Sequence, residues 1–324
     1  MAQVKYLLIG YGYWGPNVAR NINNSPVSDL KIIIDSDKKA IGKAKSKNIA
    51  EVYLDNSEKL TDKLMADIDV IVITTPPSSH YKLISSFAKY KKTFLIAKPV
   101  CTSISEVEKI KKIIEKYNIE IFTDETFIYS NKVKAIKNIV NSKDFGSLNY
   151  ISSVRSNLGL IQKDIDVIWD LAPHDLSIVS YITNQYPITS KSVSSNVLGN
   201  VKSQNNIAFI EFDYKKFNFY LNVNWLSPEK VRYMVFSGTK QTVVYDDNKK
   251  YRAIKIYDQS IDIIKGEYIY NKSEGRYVNY SPNEPLYDDI YELSKYIISG
   301  EKRPVTTFEN SKKNIYALGN IKKF

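Results

Sequence analysis

The chain has a single cysteine, Cys101, in 324 residues. No disulfide can close within it, and no thiolate-based zinc site can be built. A lone thiol of this kind is expected as a small buried apolar residue rather than a nucleophile. Histidine is almost as scarce: His80 and His174 are the only two. Any imidazole chemistry must use one of them, and no metal site is expected. Long apolar runs are also missing. The start, MAQVKYLLIGYGYWG, has only the short run Tyr6 to Ile9, which is too short for a secretory h-region. Nothing approaches the roughly 18 apolar residues of a membrane span. A cytoplasmic protein with no membrane partner is expected. Arginine is sparse beside lysine, although the net charge is +11. Arginine is the better reader of phosphates and base edges. The lysines, such as Lys38, Lys39, Lys43, Lys45 and Lys47, are scattered along helical faces as on a solvated surface. No nucleic-acid partner is expected, while an anionic small substrate stays compatible with the charge.

What is present is a length for two domains and the composition of a globular protein, 43% hydrophobic and 25% charged. Over the first 125 residues, strand-length apolar runs recur at Val4–Ile9, Leu30–Ile34, Val70–Thr74, Thr93–Ile96 and Glu120–Phe122. Helical periodicity lies between them, as at Ser105–Tyr117, where Ser105 and Glu108 have capping-box spacing. Alternating strands and helices predict βαβ units and a parallel sheet covered on both faces. After residue 125 the strands lengthen and alternate: Leu148–Arg155, Asn206–Asp213, Phe217–Trp225, Arg232–Ser237 and Thr242–Tyr245, with helices at Asn131–Asn141, Asp166–Thr183 and Leu286–Ser299. The expected fold is α/β: a Rossmann doubly wound parallel sheet over residues 1–125, then an α+β domain over 126–324 with a large, mostly antiparallel sheet.

Gly10, Gly12 and Gly15 form G-Y-G-Y-W-G between the first strand and the first helix. In that context Gly10 makes the tight turn, Gly12 admits a pyrophosphate and Gly15 allows close helix–strand packing. Tyr13 and Trp14 complete the loop. Asp35 ends the second strand, 20 residues past Gly15, where a carboxylate binds the ribose hydroxyls of NAD. NAD is expected ahead of NADP, whose 2′-phosphate Asp35 would repel; Lys38 and Lys39 keep NADP as the alternative.

Three further segments, TTPPSSH at 74–80, AKP at 97–99 and WDLAPHDL at 169–176, join GYGYWGPN at 10–17. Together they resemble the Gfo/Idh/MocA oxidoreductases: glucose–fructose oxidoreductase, inositol dehydrogenases and nucleotide-sugar dehydrogenases. The family's Glu-Lys-Pro reads Ala97-Lys98-Pro99 here, so the lysine is kept and whatever the glutamate orients is lost. The resemblance implies NAD(P)-dependent oxidation of a secondary alcohol on a sugar, cyclitol or nucleotide-sugar. It implies an active site holding Lys98, Asp170 and His174, and a homodimer or homotetramer formed through the open sheet. A base must reach the hydroxyl proton. His174 is the candidate acid/base, Asp170 its orienter or a substrate ligand, and Lys98 the stabiliser of developing alkoxide charge; Lys98 could equally take the proton. His174 follows Pro173, which suits a first helical turn. Thr75, Pro76 and His80 are expected near the cofactor, with His80 starting a helix. Tyr129, Arg155, Asn157 and Arg232 are weaker candidates for substrate contacts. The arginines suit a carboxylate or phosphate, and Trp225 and Lys230 flank the same turn as Arg232. Two rival readings use the same fold: a non-catalytic NAD(P)-binding sensor, and an imine or tetrapyrrole reductase.

Overall fold

A computed structural model describes residues 2–159, 161–199 and 204–323. The chain forms two compact units. The first comprises Met1–Tyr129 and Glu284–Ile315, and the second Ser130–Asn283 and Tyr316–Phe324.

The first unit is built on a sheet of β1 (Val4–Ile9), β2 (Ser28–Ile34), β3 (Val52–Leu54), β4 (Val70–Ile73), β5 (Thr93–Ala97) and β6 (Ile121–Asp124). All neighbours run parallel, in the order β3-β2-β1-β4-β5-β6. That is the doubly wound Rossmann order, with its topological switch between β1 and β4. The central strands are apolar without alternation because helices cover both faces; β4 is VIVI, every residue buried. Helices α1 (Gly15–Asn24), α2 (Lys38–Ser46), α3 (Asp62–Ala66), α4 (His80–Phe87) and α5 (Ile104–Tyr117) form the crossovers. Helix α5 is capped two residues earlier than its periodicity suggests. Ser103 Oγ accepts from Glu106 N at 3.2 Å, and Glu106 Oε2 accepts from Thr102 N at 3.2 Å. Ser103 and Glu106 have the same S-x-x-E spacing as Ser105 and Glu108, so two registers of the motif compete and the upstream one caps.

A single cut at residue 125 does not describe the division. The last strand of the first unit is followed by Tyr129 within the same unit, and the chain later returns to it. Returning α8 carries Leu286, Ile290 and Leu293 at helical spacing (Pro285–Ser299). These three join Tyr6, Leu8, Val18, Ile22 and Leu30 in one core. Tyr6 Oη and Ser28 Oγ both meet Ser294 Oγ, at 2.7 and 2.9 Å. The helix is therefore a cover for β1 and β2, not part of the second domain.

The second unit holds α6 (Asn131–Val140), β7 (Leu148–Ser156), α7 (Val167–Thr183), β8 (Thr189–Ser195), β9 (Ile207–Asp213), β10 (Asn218–Asn224), β11 (Val231–Gly238), β12 (Gln241–Asp246), β13 (Ile254–Ile264) and β14 (Glu267–Lys272). The short β15 (Arg276–Tyr277) pairs with β13, and β16 (Lys322–Lys323) pairs with β8. The sheet is mixed: β7 lies parallel to β10 and β8 parallel to β16, with the other neighbours antiparallel. Helix α7 lies across β7, β9 and β10 on one face. Ile151, Ala208, Ile210, Phe219 and Leu221 point to that face and are buried. The other face alternates outward with period 2. Its cross-strand row Tyr233, Val154, Asn222, Phe209, Val193 is apolar and open apart from Asn222. No described helix is long and apolar enough to cross a membrane.

Candidate functional site

The glycine turn lies at the carboxyl end of β1, at the switch point where open α/β sheets bind ligands. Gly10 has φ +99°, and a Cβ there would lie 2.9 Å from Thr75 N. Gly10 N donates to Ile34 O at 2.8 Å, and Thr74 Oγ1 donates to Gly10 O at 2.7 Å. A Cβ on Gly15 would lie 2.4 Å from Gly10 O, so α1 begins in direct contact with the turn. Gly12 differs from both. Nothing lies within 4 Å of its missing Cβ, and the position is exposed. Two glycines are thus fixed by the protein's own backbone, and the third leaves open space at the start of a helix.

Asp35 follows β2 and faces this turn. Tyr11 N donates to Asp35 Oδ2 at 2.5 Å and Asp37 N to Asp35 Oδ1 at 2.8 Å. Each carboxylate oxygen keeps a second lone pair, which suits a ribose hydroxyl donor and repels a phosphate. The open space at Gly12 and the half-exposed Asp35 fit a nicotinamide dinucleotide.

The remaining loop residues divide. Tyr13 is 82% exposed. Trp14 turns inward, packs against the core and donates through Nε1 to Asp124 Oδ2 at 2.6 Å. Thr75 and Pro76 sit on the turn after β4, with Thr75 Oγ1 and Ser79 Oγ 2.6 Å apart. His80 starts α4 as expected but is fully buried. Its Nε2 lies 2.8 Å from Thr75 O, and its Nδ1 lies 3.1 and 3.2 Å from Pro99 O and Val100 O. The ring clamps the β4 turn to the loop after Lys98 through backbone carbonyls. Cys101 is buried beside this loop, and burial, then Glu106, pushes its thiol up to about 12.

Lys98 is half-buried at the end of β5, joined to Pro99 by a cis peptide. The strand register sets Ala97 opposite Asp124 of β6. The carboxylate missing at 97 is therefore matched by one on the neighbouring strand. Burial pushes the Asp124 carboxyl up, against hydrogen bonds from Thr126 and Trp14 and the charge of Lys98. Asp124 was not evident as a site residue from sequence, because only the register puts it beside Ala97. Tyr129 lies in the core of the first unit, 2% exposed, with Oη 3.1 Å from Thr306 Oγ1; it lines no open surface there.

In the second unit, Asp166 caps α7 by accepting from Ile168 N and Trp169 N. Pro173 therefore sits inside the helix, not in its first turn. Its ring removes one helical hydrogen bond, toward the carbonyl of Trp169. Asp170 and His174 are four apart on α7, so they share one face, and both are half-buried. Trp225 Nε1 donates to Asp170 Oδ2 at 3.0 Å, fixing that carboxylate from the end of β10. Arg155 is buried and paired with Asp175 of α7, to which Ser153 Oγ also donates at 2.7 Å. Arg232 is its cross-strand neighbour and contacts Asp247 Oδ2 at 3.3 Å. Asn157 is exposed past β7. Among the described residues, no group of three His, Cys, Asp or Glu side chains is placed to hold a metal ion.

Residues 4–124 match the family model for the oxidoreductase family with an NAD-binding Rossmann fold, Gfo/Idh/MocA. The matched stretch is the parallel sheet of the first unit, β1 to β6. An uncharacterized oxidoreductase of Streptococcus pneumoniae is 20% identical over 261 residues, 75% of this chain and 68% of that one. The myo-inositol 2-dehydrogenase of Thermotoga maritima is 21% identical over 55% of this chain, a match spanning about half (54%) of that enzyme. Among solved structures, the UDP-N-acetylglucosamine 3-dehydrogenase of Acidithiobacillus ferrooxidans superposes with a TM-score of 0.79 at 18% identity, covering 99% of this chain and 97% of that one. The last likeness is one of fold. Residues 4–124 thus match the NAD-binding Rossmann fold of an oxidoreductase family.

Proposed function

We propose that the protein transfers a hydride between NAD and a secondary alcohol of a sugar, cyclitol or nucleotide-sugar. The observation that carries the reading is the glycine turn at the sheet's switch point, open at Gly12 and faced by the Asp35 carboxylate. A nicotinamide dinucleotide supplies the hydride acceptor or donor. Asp35 selects NAD over NADP by accepting from a ribose hydroxyl. Oxidation of a carbinol also releases the hydroxyl proton, which must go to a base. His174 takes it, Asp170 on the same helical face orients the ring or binds a substrate hydroxyl, and Lys98 stabilises the alkoxide as it forms. The dehydrogenases of inositol and UDP-N-acetylglucosamine among the similar proteins support a polyhydroxylated substrate. The open apolar row on the second sheet, Tyr233, Val154, Phe209 and Val193, supports self-association as a homodimer or homotetramer.

The test is to denature the purified protein, identify any released dinucleotide by mass, and titrate NADH and NADPH into the emptied protein. Preferential NADH binding, followed by turnover of a sugar or cyclitol that Lys98→Ala and His174→Ala each abolish, is the expected result. Failure of both dinucleotides to bind refutes it.

A further inference from the structure

Three carboxylic acids gather at the carboxyl end of β6, inside the first unit. Asp124 ends the strand and Glu125 follows it. Asp289 belongs to α8, which packs against the turn Thr126–Tyr129, and the charges of Asp124 and Glu125 both act on it. The returning chain closes over the same end. Thr123 N donates to Thr306 O at 2.8 Å, and Ser311 Oγ donates to Thr123 Oγ1 at 2.8 Å. Asp124 and Asp289 are 5% and 1% exposed, and Glu125 is half-buried. Acids that feel one another's charge away from water do not all ionise together, so the cluster retains a proton at neutral pH.

Hydrogen bonding decides which acid holds it. Both oxygens of Asp124 accept: Oδ2 from Trp14 Nε1 at 2.6 Å, and Oδ1 from Thr126 Oγ1. An indole N–H can only donate, and donors at both oxygens favour the carboxylate. The positive charge of Lys98, which follows the Ala97 paired with Asp124, favours it too. Asp289 has the opposite surroundings. Neither of its oxygens has a hydrogen-bond partner of good geometry, and the Tyr129 hydroxyl beside it lies 3.1 Å from Thr306 Oγ1. The charges acting most strongly on it are those of Asp124, Glu125 and Glu292, all negative. Burial, then Asp124, drives its carboxyl well up against Tyr129, and Tyr6 of β1 lies within its field.

Resting on the role proposed above for Lys98, we propose that Asp124 is its positioning residue: the Asp124 carboxylate keeps Lys98 an ammonium, and Asp289 holds the proton that the cluster retains. Lys98 then acts as a fixed cation that stabilises the alkoxide, and it is not the group that takes the hydroxyl proton. Because Trp14 grips the same carboxylate, the glycine turn and Lys98 share one anchor.

Two measurements on the full-length protein test this, and neither needs a substrate. Competitive acetylation with acetic anhydride, read by mass spectrometry across pH, follows Lys98 as free amine, with the exposed Lys112 of α5 as internal reference. In Asp124→Asn the pH midpoint of Lys98 reactivity is expected to fall, making it about tenfold or more reactive at pH 8 with the same plateau at high pH. Asp289→Asn copies the protonated acid and is expected to match wild type. Infrared spectroscopy at pH 8, where Glu125 is mostly ionised, reads the retained proton. Wild type is expected to show a buried carboxylic acid band that Asp289→Asn removes and Asp124→Asn keeps. An unmoved midpoint in Asp124→Asn, a midpoint in Asp289→Asn that falls as far, or no such band in wild type overturns the proposal. The last outcome needs no variant and holds whether or not Asp124→Asn folds. An NADH titration reports separately on the dehydrogenase reading: its failure removes that reading, while acetylation still reads the charge on Lys98.

Discussion

The indole of Trp14 donates to the Asp124 carboxylate at 2.6 Å, tying the glycine turn after β1 to the end of β6, three strands away in the sheet. Asp124 also stands opposite Ala97, next to Lys98. Replacing Trp14 by Phe keeps the ring and deletes the hydrogen bond. It leaves a buried carboxyl short of one donor, so NADH affinity is expected to fall severalfold with a loss of about 1–3 kcal/mol of stability. NADH titration and urea unfolding of Trp14→Phe and Asp124→Asn measure both; unchanged affinity in both variants rejects a role for this tie in shaping the turn.

The three loop glycines separate by consequence. Gly10→Ala and Gly15→Ala place a Cβ against backbone, at 2.9 Å from Thr75 N and 2.4 Å from Gly10 O. Both are expected to lower the melting temperature. Gly12→Val sets its Cβ more than 4 Å from any protein atom outside its chain neighbours, and it is expected to melt near wild type while losing NADH binding. A Gly12→Val protein that binds NADH normally contradicts the assignment of that space to the cofactor.

Glu125 gives a pH dependence. Burial, with Asp124 beside it, raises its carboxyl from 4.5 to about 7 against the pull of Ser311. Between those values the native state binds more protons than the unfolded chain. The contribution is complete below the unfolded value and is lost as pH rises through about 7. Glu125→Gln removes that loss and is expected to gain on the order of 1–2 kcal/mol over wild type at pH 8, and little at pH 4. Paired denaturant curves at the two pH values check the sign.

Arg155 and Asp175 are a buried ion pair between β7 and α7. Removing one partner strands the other, and Asp175→Asn is expected to cost about 3–5 kcal/mol. The double replacement Arg155→Met with Asp175→Leu recovers most of it if the pair is structural. Unfolding of wild type, Arg155→Met, Asp175→Leu and the double variant in a double-mutant cycle decides this.

The Rossmann half was legible because its signals are local. Val4–Ile9 reads as a strand within the residues that form one, and the glycines, Asp35 and the His80 helix start all follow from short-range pattern. Strand β3 was missed because its apolar run, Val52–Leu54, is only three residues long. Helix α8 reads as an amphipathic helix in isolation, but its sheet partner lies more than 250 residues upstream, and periodicity cannot name it. The same limit hid Asp124, Asp175 and Asp247, whose importance depends on register and on which helix covers which face. Pro173 misled for another reason: a proline is tolerated mid-helix when the surrounding packing outweighs one lost hydrogen bond.

Because Leu286, Ile290 and Leu293 complete the core around β1 and β2, the nucleotide-binding half cannot mature while its own first 129 residues are emerging from the ribosome. It must wait until the intervening unit has been synthesised. The unit that starts first is therefore complete only at Ile315, after nearly all of the second unit and just before that unit receives β16. A fragment cut after Tyr129 carries every residue proposed above to contact the cofactor and still lacks one wall of the core that holds them.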